Sequence, residues 1–321
     1  MTDPGVLVGL DEIREAAARL EGVVVRTPLV AWPELSERLG GEVRLKCENL
    51  QRSGSFKARG AYNFASRIPA EELKGGLITY SSGNHAQAVA LVAQLLGTHA
   101  VVVMPVNAPA VKREGAERLG AEVVLEGTTS VERRARAEAI ADERGLAMVP
   151  PFDHHHIIAG QGTVGLEIVH EWDEVDTILV PIGGGGLASG VSAAVRRLRP
   201  HARIFGVEPS GAASMRAALD AGEPVELSSI DSIADGLLPV KTGDHTYRHI
   251  RDLADDVLLV EDDVIVEAAL LLATERKLLV EFSGAAAVAA ILSGRVEVTG
   301  RKVVAVLSGG NVDPAVLVEH G

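Results

Sequence analysis

The chain has 321 residues, of which 47% are hydrophobic and 23% are charged, and its formal net charge is −13. This length suits two domains, or one large α/β unit with an insertion, and the composition is that of an ordinary globular protein. The net negative charge excludes nucleic acid as an expected partner, because a phosphodiester backbone would be repelled. A small anionic ligand is not excluded, since a local group of backbone N–H donors is enough to bind it.

Cys47 is the only cysteine, so no intrachain disulfide can form, and a reducing compartment is indicated. The first residues, MTDPGVLVGLDEI, contain neither a basic segment nor a long apolar run, so no secretory signal peptide is expected. The longest apolar runs are far short of the ~20 residues that a membrane helix needs. We therefore expect a cytoplasmic protein without a membrane partner.

Short β-branched segments alternate with alanine-rich amphipathic segments along the chain. Strands are predicted at 77–82, 100–104, 121–126, 177–182, 203–208 and 302–308, and helices at 84–96, 110–119, 130–144, 186–198 and 262–277. The turn-rich stretch 224–246 is predicted to be a loop. Alternation of this kind favours parallel sheets with helices on both faces. Ligands of such sheets bind beyond the carboxyl ends of the strands.

Three of these strands run directly into glycine-containing turns, at 79–88, 181–190 and 306–313. Four consecutive glycines, Gly183–Gly186, stand before a predicted helix. Glycines at a helix N-terminus expose several N–H groups and let the backbone approach a ligand closely. The pattern is neither a dinucleotide-binding fingerprint nor a Walker loop. It predicts a phosphate site of another kind.

A lysine in an unusual place provides the second candidate. In the segment ENLQRSGSFKARGAYN, Lys57 follows a serine–glycine turn and opens a predicted helix. A cation at a helix N-terminus is poorly placed for stability, and the positive end of the helix dipole lowers the pKa of such an amine. A lysine that forms a Schiff base needs a lowered pKa. Beside a phosphate-type loop, Lys57 is therefore a candidate nucleophile.

The segments SGSFKARGA, SSGNHAQA, GGGGL and LSGGNVD, in this order, resemble the fold type II pyridoxal 5'-phosphate (PLP) enzymes of the serine/threonine dehydratase and serine racemase group. IAGQGT (158–163) and ADG (234–236) also match, and the resemblance runs from about Ile13 to Asp313. It implies an α/β fold like that of tryptophan synthase β, with two open twisted, mainly parallel sheets flanked by helices. It also implies a large cofactor-binding domain, 1–75 and 152–321, and a small mobile domain, 76–151.

The resemblance further implies roles for individual residues. Lys57 would bind PLP covalently and later move the Cα proton, and Phe56 would pack along the ring. Asn84 would donate to the phenolic oxygen, and Ser308 would face the pyridine nitrogen. The phosphate would be held by Gly183, Gly184, Gly185, Gly186 and Leu187. A neutral hydroxyl at that nitrogen makes the ring a weaker electron sink, which suits elimination better than transamination.

The turn Ser81-Ser82-Gly83-Asn84-His85 is implied to be the site of the substrate carboxylate. Its hydroxyls and helix N-terminus suit an anion physically. In racemases, the serine that matches Ser82 is the acid/base on the face opposite the lysine, but dehydratases carry the same serine. Ser82 therefore does not separate the two activities.

The resemblance supports a cation site less strongly than the cofactor site. Glu208 matches the first ligand that the family uses, and the Ala212 carbonyl could be a second, but Ser214 stands where relatives carry an acidic residue. Hard divalent ions prefer several charged oxygens. The loss of one carboxylate argues against a tight divalent site and leaves a water-rich or monovalent site open.

Several other residues are expected at the surface. His154-His155-His156 is predicted to lie in an exposed loop, with a substrate-facing histidine as the alternative. His245 and His249 share a helical face that is expected to be exposed. The cluster that includes Arg133 alternates with glutamates, which is typical of a solvated helix face.

The leading interpretation is a short catabolic ammonia-lyase for L-threonine or L-serine, and the resemblance implies a homodimer. Serine racemase and an ammonia-lyase for threo-3-hydroxyaspartate are the alternatives within the group. Sulfide-using synthases fit less well, because they usually carry Ser-Val-Lys-Asp-Arg where this chain has Ser-Phe-Lys-Ala-Arg. An inactive homologue that binds PLP or amino acids is the alternative outside enzymes, although intact Lys57, Ser82 and Asn84 argue against it.

Overall fold

The strands of the computed structural model, which describes residues 6–81 and 83–320, form two separate sheets. The strands are Leu29–Ala31 (β1), Glu42–Cys47 (β2), Leu77–Tyr80 (β3), Ala100–Met104 (β4), Glu122–Leu125 (β5), Ala147–Met148 (β6), Thr177–Pro181 (β7), Arg203–Pro209 (β8), Asp256–Val260 (β9) and Lys302–Leu307 (β10). The larger sheet has the order β1-β2-β10-β7-β8-β9 and the smaller has the order β5-β4-β3-β6. All neighbouring strands are parallel except β1 and β2.

Helices connect nearly all of the parallel strands. The helices are Leu10–Leu20 (α1), Pro33–Leu39 (α2), Lys57–Ala65 (α3), Ala70–Leu73 (α4), Asn84–Leu95 (α5), Ala110–Arg118 (α6), Ser130–Arg144 (α7), His155–Glu171 (α8), Gly186–Leu198 (α9), Ser214–Ala221 (α10), Asp244–Leu253 (α11), Asp262–Arg276 (α12), Phe282–Leu292 (α13) and Pro314–Glu319 (α14). None of the helices among the described residues is long and apolar enough to cross a membrane.

The core lies on both faces of each sheet. One face of the larger sheet packs against α12 and α13, and the other packs against α8, α9 and α11. The smaller sheet lies between α5 on one face and α7 on the other. Strands that are buried on both faces must be apolar at consecutive positions, which explains the continuous run Val303–Leu307.

The predicted fold class, with two mainly parallel sheets flanked by helices, is confirmed. The predicted elements 100–104, 130–144 and 186–198 have the observed bounds, and the other predicted strands and helices differ from the observed ones by one or two residues. The predicted loop 224–246 holds a short 3₁₀ turn and, at its end, the first residues of α11.

The smaller sheet is built wholly from strands between residues 77 and 148, and the larger sheet from strands before and after them. That the stretch 76–151 moves as a small domain against 1–75 and 152–321 stays a prediction. The turns that follow β3, β7 and β10 are the ones that the sequence marked as candidate ligand sites.

Candidate active site

Lys57 is the first residue of α3, and the turn before it is fixed to the turn after β10. The backbone N–H of Phe56 donates to the Ser308 carbonyl at 3.2 Å, and Ser55 forms an isolated bridge with Gly309. The Phe56 ring centroid lies 5.2 Å from the Lys57 Nζ atom. The predicted lysine, its aromatic neighbour and Ser308 therefore lie together.

The Lys57 side chain is half-buried, and its Nζ atom donates to the Pro151 carbonyl at 2.7 Å. Burial lowers the pKa of this amine to about 8, because the charged form loses its water. No carboxylate among the described residues forms an ion pair with it. A larger share of neutral amine near neutral pH is what a nucleophile towards an aldehyde requires.

This lowered pKa predicts a pH-dependent term in the stability of the cofactor-free protein. The folded state releases the Lys57 proton near pH 8, whereas the unfolded chain keeps it up to about pH 10.5, so the unfolded state binds more protons between these values. The free energy of unfolding should therefore rise by about 3 kcal/mol between pH 8 and 10.5, relative to Lys57→Met. Denaturant unfolding of both proteins at several pH values measures the difference. A difference that stays constant from pH 7 to pH 10.5 would contradict the lowered pKa.

The glycine cradle, the turn Gly183–Gly186, joins β7 to the N-terminus of α9, and neighbouring groups lie so close to its backbone that it must lack side chains. A Cβ on Gly184 would stand 2.3 Å from the Phe152 ring, and Gly185 has a φ of 91°, which an L side chain rarely adopts. Leu187, which follows, is buried. Phe152 adjoins Pro151, whose carbonyl accepts from Lys57, so this cradle lies next to the amine. The cradle fits a phosphate group.

The turn after β3 begins α5, and the described part of it is preorganised. The Ser81 hydroxyl oxygen accepts a hydrogen bond from the Gly83 N–H at 3.1 Å, and α5 starts at Asn84. Ser82 lies outside the described residues, so its role as a second acid/base stays a prediction. The ring of His85 is buried, with Nε2 3.2 Å from the Val149 carbonyl, and burial lowers its pKa to about 3. His85 is therefore neutral at physiological pH.

One residue that sequence reasoning left without a role ties the three turns together. The Asn311 amide donates to the Ser53 carbonyl at 2.8 Å and to the Asn84 Oδ1 atom at 2.9 Å. It therefore connects the turn before Lys57, the turn after β3 and the turn after β10. The only signal in the sequence was its membership of the segment LSGGNVD.

The residues present fit PLP. The glycine cradle suits its phosphate, Lys57 suits its aldehyde, the Asn84 amide suits its phenolic oxygen and the Ser308 turn lies beside Phe56. Each of these groups stands at the carboxyl end of a strand or at the start of a helix. The predicted cofactor residues are thus close enough to share one small ligand, although their individual roles remain predictions.

The predicted cation ligand Glu208 has other hydrogen-bond partners. Its two carboxylate oxygens accept from the backbone N–H groups of Met215 and Arg216 at 2.8 and 2.9 Å, at the start of α10. Burial raises its pKa to about 7. Ala212 is buried nearby in a 3₁₀ turn. Within residues 6–81 and 83–320, no cluster of three or more histidine, cysteine or acidic side chains is arranged to hold a metal.

Three surface expectations are wrong. His155 is buried in the first turn of α8 and pairs with Glu12, so the histidine triplet is a helix start and no exposed loop. His249 is buried, and its Nε2 atom accepts from the Val8 N–H at 2.9 Å. Arg133 is buried beside Tyr80 and donates to the Thr128 carbonyl at 3.1 Å, whereas Arg134 and Arg136 of the same cluster are exposed as expected. Each of the three buried side chains points into the protein from its helix.

A fold of two mainly parallel sheets with this arrangement of lysine, glycine cradle and amide belongs to a known class of enzyme. The chain belongs to the family of pyridoxal-phosphate-dependent enzymes, whose family model matches residues 20–309. PLP is accordingly the cofactor of this enzyme.

Individual relatives show which enzymes of this family the chain resembles. The chain is 47% identical to an L-threonine ammonia-lyase of Geobacter sulfurreducens, over 96% of this chain and 78% of the relative. It is 43% identical to an L-threonine ammonia-lyase of Thermotoga maritima, over 96% of this chain and 76% of the relative. The solved structure of maize serine racemase superposes with a TM-score of 0.94 at 39% identity, covering 98% of this chain and 97% of that one.

Proposed function

We propose that this enzyme removes the β-hydroxyl group of L-threonine, and of L-serine, to give a 2-oxo acid and ammonia. The observation that carries the proposal is that the half-buried Lys57 amine and Ser308, a neutral hydroxyl residue, stand on two turns joined by the hydrogen bond from the Phe56 N–H to the Ser308 carbonyl. The names of the two threonine ammonia-lyases, at 47% and 43% identity, favour the same substrate.

In this reaction, Lys57 and the Ser81–His85 turn have separate roles. Bound PLP supplies an electron sink for the pair of electrons left when the Cα–H bond breaks. The Lys57 amine takes that proton, and its lowered pKa suits a base that works near neutral pH. The Ser81–His85 turn holds the substrate carboxylate at the N-terminus of α5. With the carboxylate fixed there, the Cα–H bond can be oriented towards Lys57.

The overall reaction balances without an oxidant. The substrate loses a proton from Cα and its hydroxyl from Cβ, which together leave as water. The released unsaturated amine then tautomerises and takes up water, which yields the 2-oxo acid and ammonia. A neutral Ser308 facing the pyridine nitrogen would leave that nitrogen unprotonated, so the bound ring would be a weaker electron sink. A weaker sink suits elimination, in which the departing hydroxyl carries away the electron pair.

Serine racemase is the second candidate, and the likeness to the maize enzyme favours it. Racemisation needs a second acid/base on the face opposite Lys57, for which Ser82 is the candidate. An ammonia-lyase for threo-3-hydroxyaspartate remains the third. These reactions share the cofactor and the lysine, so they differ in the contacts of the substrate rather than in the fold.

Oxo acid release from L-threonine, L-serine and L-threo-3-hydroxyaspartate tests the proposal. The expected result is fastest release from threonine or serine. Release mainly from hydroxyaspartate would keep the chemistry and overturn the substrate. Absence of release from all three, together with the appearance of D-serine from L-serine in chiral chromatography, would establish the racemase. Bound cofactor without any turnover would favour an inactive homologue.

We also propose that the enzyme works in the cytoplasm as a homodimer. A single cysteine, Cys47, which is buried, suits a reducing compartment. Light scattering during size-exclusion chromatography measures the mass in solution, and a mass of 33.6 kDa, that of one chain, would contradict the dimer.

A further inference from the structure

A buried chain of polar groups connects the smaller-sheet half of the protein with the larger-sheet half beside the candidate site. The Lys112 Nζ atom, from α6, lies 2.6 Å from an Asp235 oxygen and 2.8 Å from a Glu281 oxygen. The other Glu281 oxygen accepts a hydrogen bond from the Asn84 amide. Lys112 and Asn84 flank the smaller sheet, whereas Asp235 and Glu281 belong to the half built on the larger sheet.

The charges in this chain depend on one another. Lys112 and Glu281 are only 3% and 2% exposed. Burial raises the pKa of Glu281, and the Lys112 ammonium opposes that rise. Burial also disfavours the Lys112 cation, but the two carboxylates hold its pKa above the usual value. Since a buried charge without a partner is costly, the Lys112 ammonium stabilises the ionised form of Glu281 next to Asn84.

Glu281 also decides which way the Asn84 amide points. The Asn84 Oδ1 atom accepts from Asn311 at 2.9 Å, and its Nδ2 group donates one N–H to Glu281. A flipped amide would place an oxygen against the carboxylate and an NH₂ group against another NH₂ group. The orientation is therefore fixed, and no acceptor among residues 6–81 and 83–320 takes the second N–H of Nδ2, which is left for a ligand.

Glu281 also contacts the turn after β10, which carries Ser308, the residue predicted to face the pyridine nitrogen of the cofactor ring. Its backbone N–H donates to the Gly309 carbonyl at 3.2 Å, and a Cβ on Gly309 would stand 2.3 Å from a Glu281 oxygen. Gly309 directly follows Ser308. On the opposite side, the Lys112 side chain packs against Gly83. A Cβ on Gly83 would stand 2.2 Å from the Lys112 Cδ atom. Glu281 thus contacts both the turn that starts α5 and the turn after β10, and Lys112 packs against the turn before Asn84.

We propose that Glu281 is a positioning residue for the cofactor, which orients the free N–H of Asn84 towards the phenolic oxygen of PLP and is itself held by Lys112. The proposal rests on the cofactor role of Asn84 given above. The proposal gives Glu281 and Lys112 a measurable influence on the bound cofactor.

The test compares holoenzyme variants by the visible absorption spectrum of the lysine-bound cofactor and by the dissociation constant of PLP. Glu281→Gln should change the spectrum and weaken PLP binding by about tenfold, because the amide of Asn84 is then free to turn. Lys112→Met should reproduce both changes, and Lys112→Arg should restore the wild-type values. Lys74→Met, at an exposed lysine paired with Glu71, is the control and should change neither.

The second variant keeps the test decisive if Glu281→Gln does not fold. Glu281→Asp retains the charge beside Lys112 but withdraws the carboxylate from Asn84, and it should change the spectrum in the same direction. A folded Glu281 variant with the wild-type spectrum and PLP affinity would overturn the proposal. Wild-type enzyme that binds PLP but turns over no hydroxy-amino acid would instead overturn the proposed function, since both readouts here are independent of turnover.

Discussion

Replacing Lys57 with alanine is expected to lower oxo acid release from threonine by at least about 10⁴-fold, because one side chain both attaches the cofactor and moves the Cα proton. Among the described residues, the half-buried amine has only the Pro151 carbonyl as a hydrogen-bond partner. The variant should also lose the visible absorbance of lysine-bound cofactor. Initial rates and absorption spectra of the purified variant measure both effects.

The control for this experiment is Lys241→Ala, which removes an exposed lysine from the loop before α11. It should keep the wild-type rate and spectrum. A Lys57→Ala variant that retains more than about a hundredth of the wild-type rate would show that another group moves the proton, since a single general base contributes at least that factor.

The second large effect is expected on folding. Arg59, two residues after Lys57, is fully buried and donates to both oxygens of Glu48 at 2.7 and 2.8 Å and to both oxygens of Glu167 at 2.6 and 2.9 Å. Glu48 is also fully buried, and although burial opposes its ionisation, the Arg59 guanidinium holds its pKa below the usual value. Lys46, buried beside them, donates to Glu167 at 2.7 Å.

Arg59→Met should therefore cost about 3–5 kcal/mol in the free energy of unfolding, because it leaves a buried carboxylate without its partner. Arg134→Met is the matched control. Arg134 and Glu138 are also 2.7 Å apart, but both are exposed, so the loss should be about 0.5 kcal/mol or less. Denaturant unfolding of the cofactor-free proteins compares the two. Equal losses in both variants would contradict the claim that burial decides the value of the Arg59 ion pairs.

The sequence was most informative where local pattern determines local structure. The β-branched run 100–104 and the helix 130–144 have the predicted bounds, because a buried strand must be apolar throughout and a capped amphipathic helix carries its own period. The glycine turn 183–186 was recognisable because four consecutive glycines between a predicted strand and a predicted helix let the backbone approach a ligand closely.

Sequence patterns were less informative where partners are distant along the chain. Lys112, Asp235 and Glu281 meet although more than a hundred residues separate the first from the second, and no spacing rule joins them. Arg133 looked like part of a solvated cluster, because composition does not reveal which member of a helical arginine group turns inward. Arg59 lay inside a recognised motif, yet its two carboxylate partners could be found only from the fold.

The cation site illustrates the same limit. Glu208 matched a ligand position of the family, and in this fold its two oxygens accept from the backbone N–H groups of Met215 and Arg216, partners that no sequence pattern indicated. Its role as a cation ligand stays a prediction.

The most direct test of the central claim is to reduce the holoenzyme with borohydride, digest it and locate the added pyridoxyl phosphate by mass spectrometry. The account predicts that the modification lies on Lys57 alone, in the peptide that contains SGSFKARG. A modification on any other lysine, or none at all in protein that retains its visible absorbance, would contradict it.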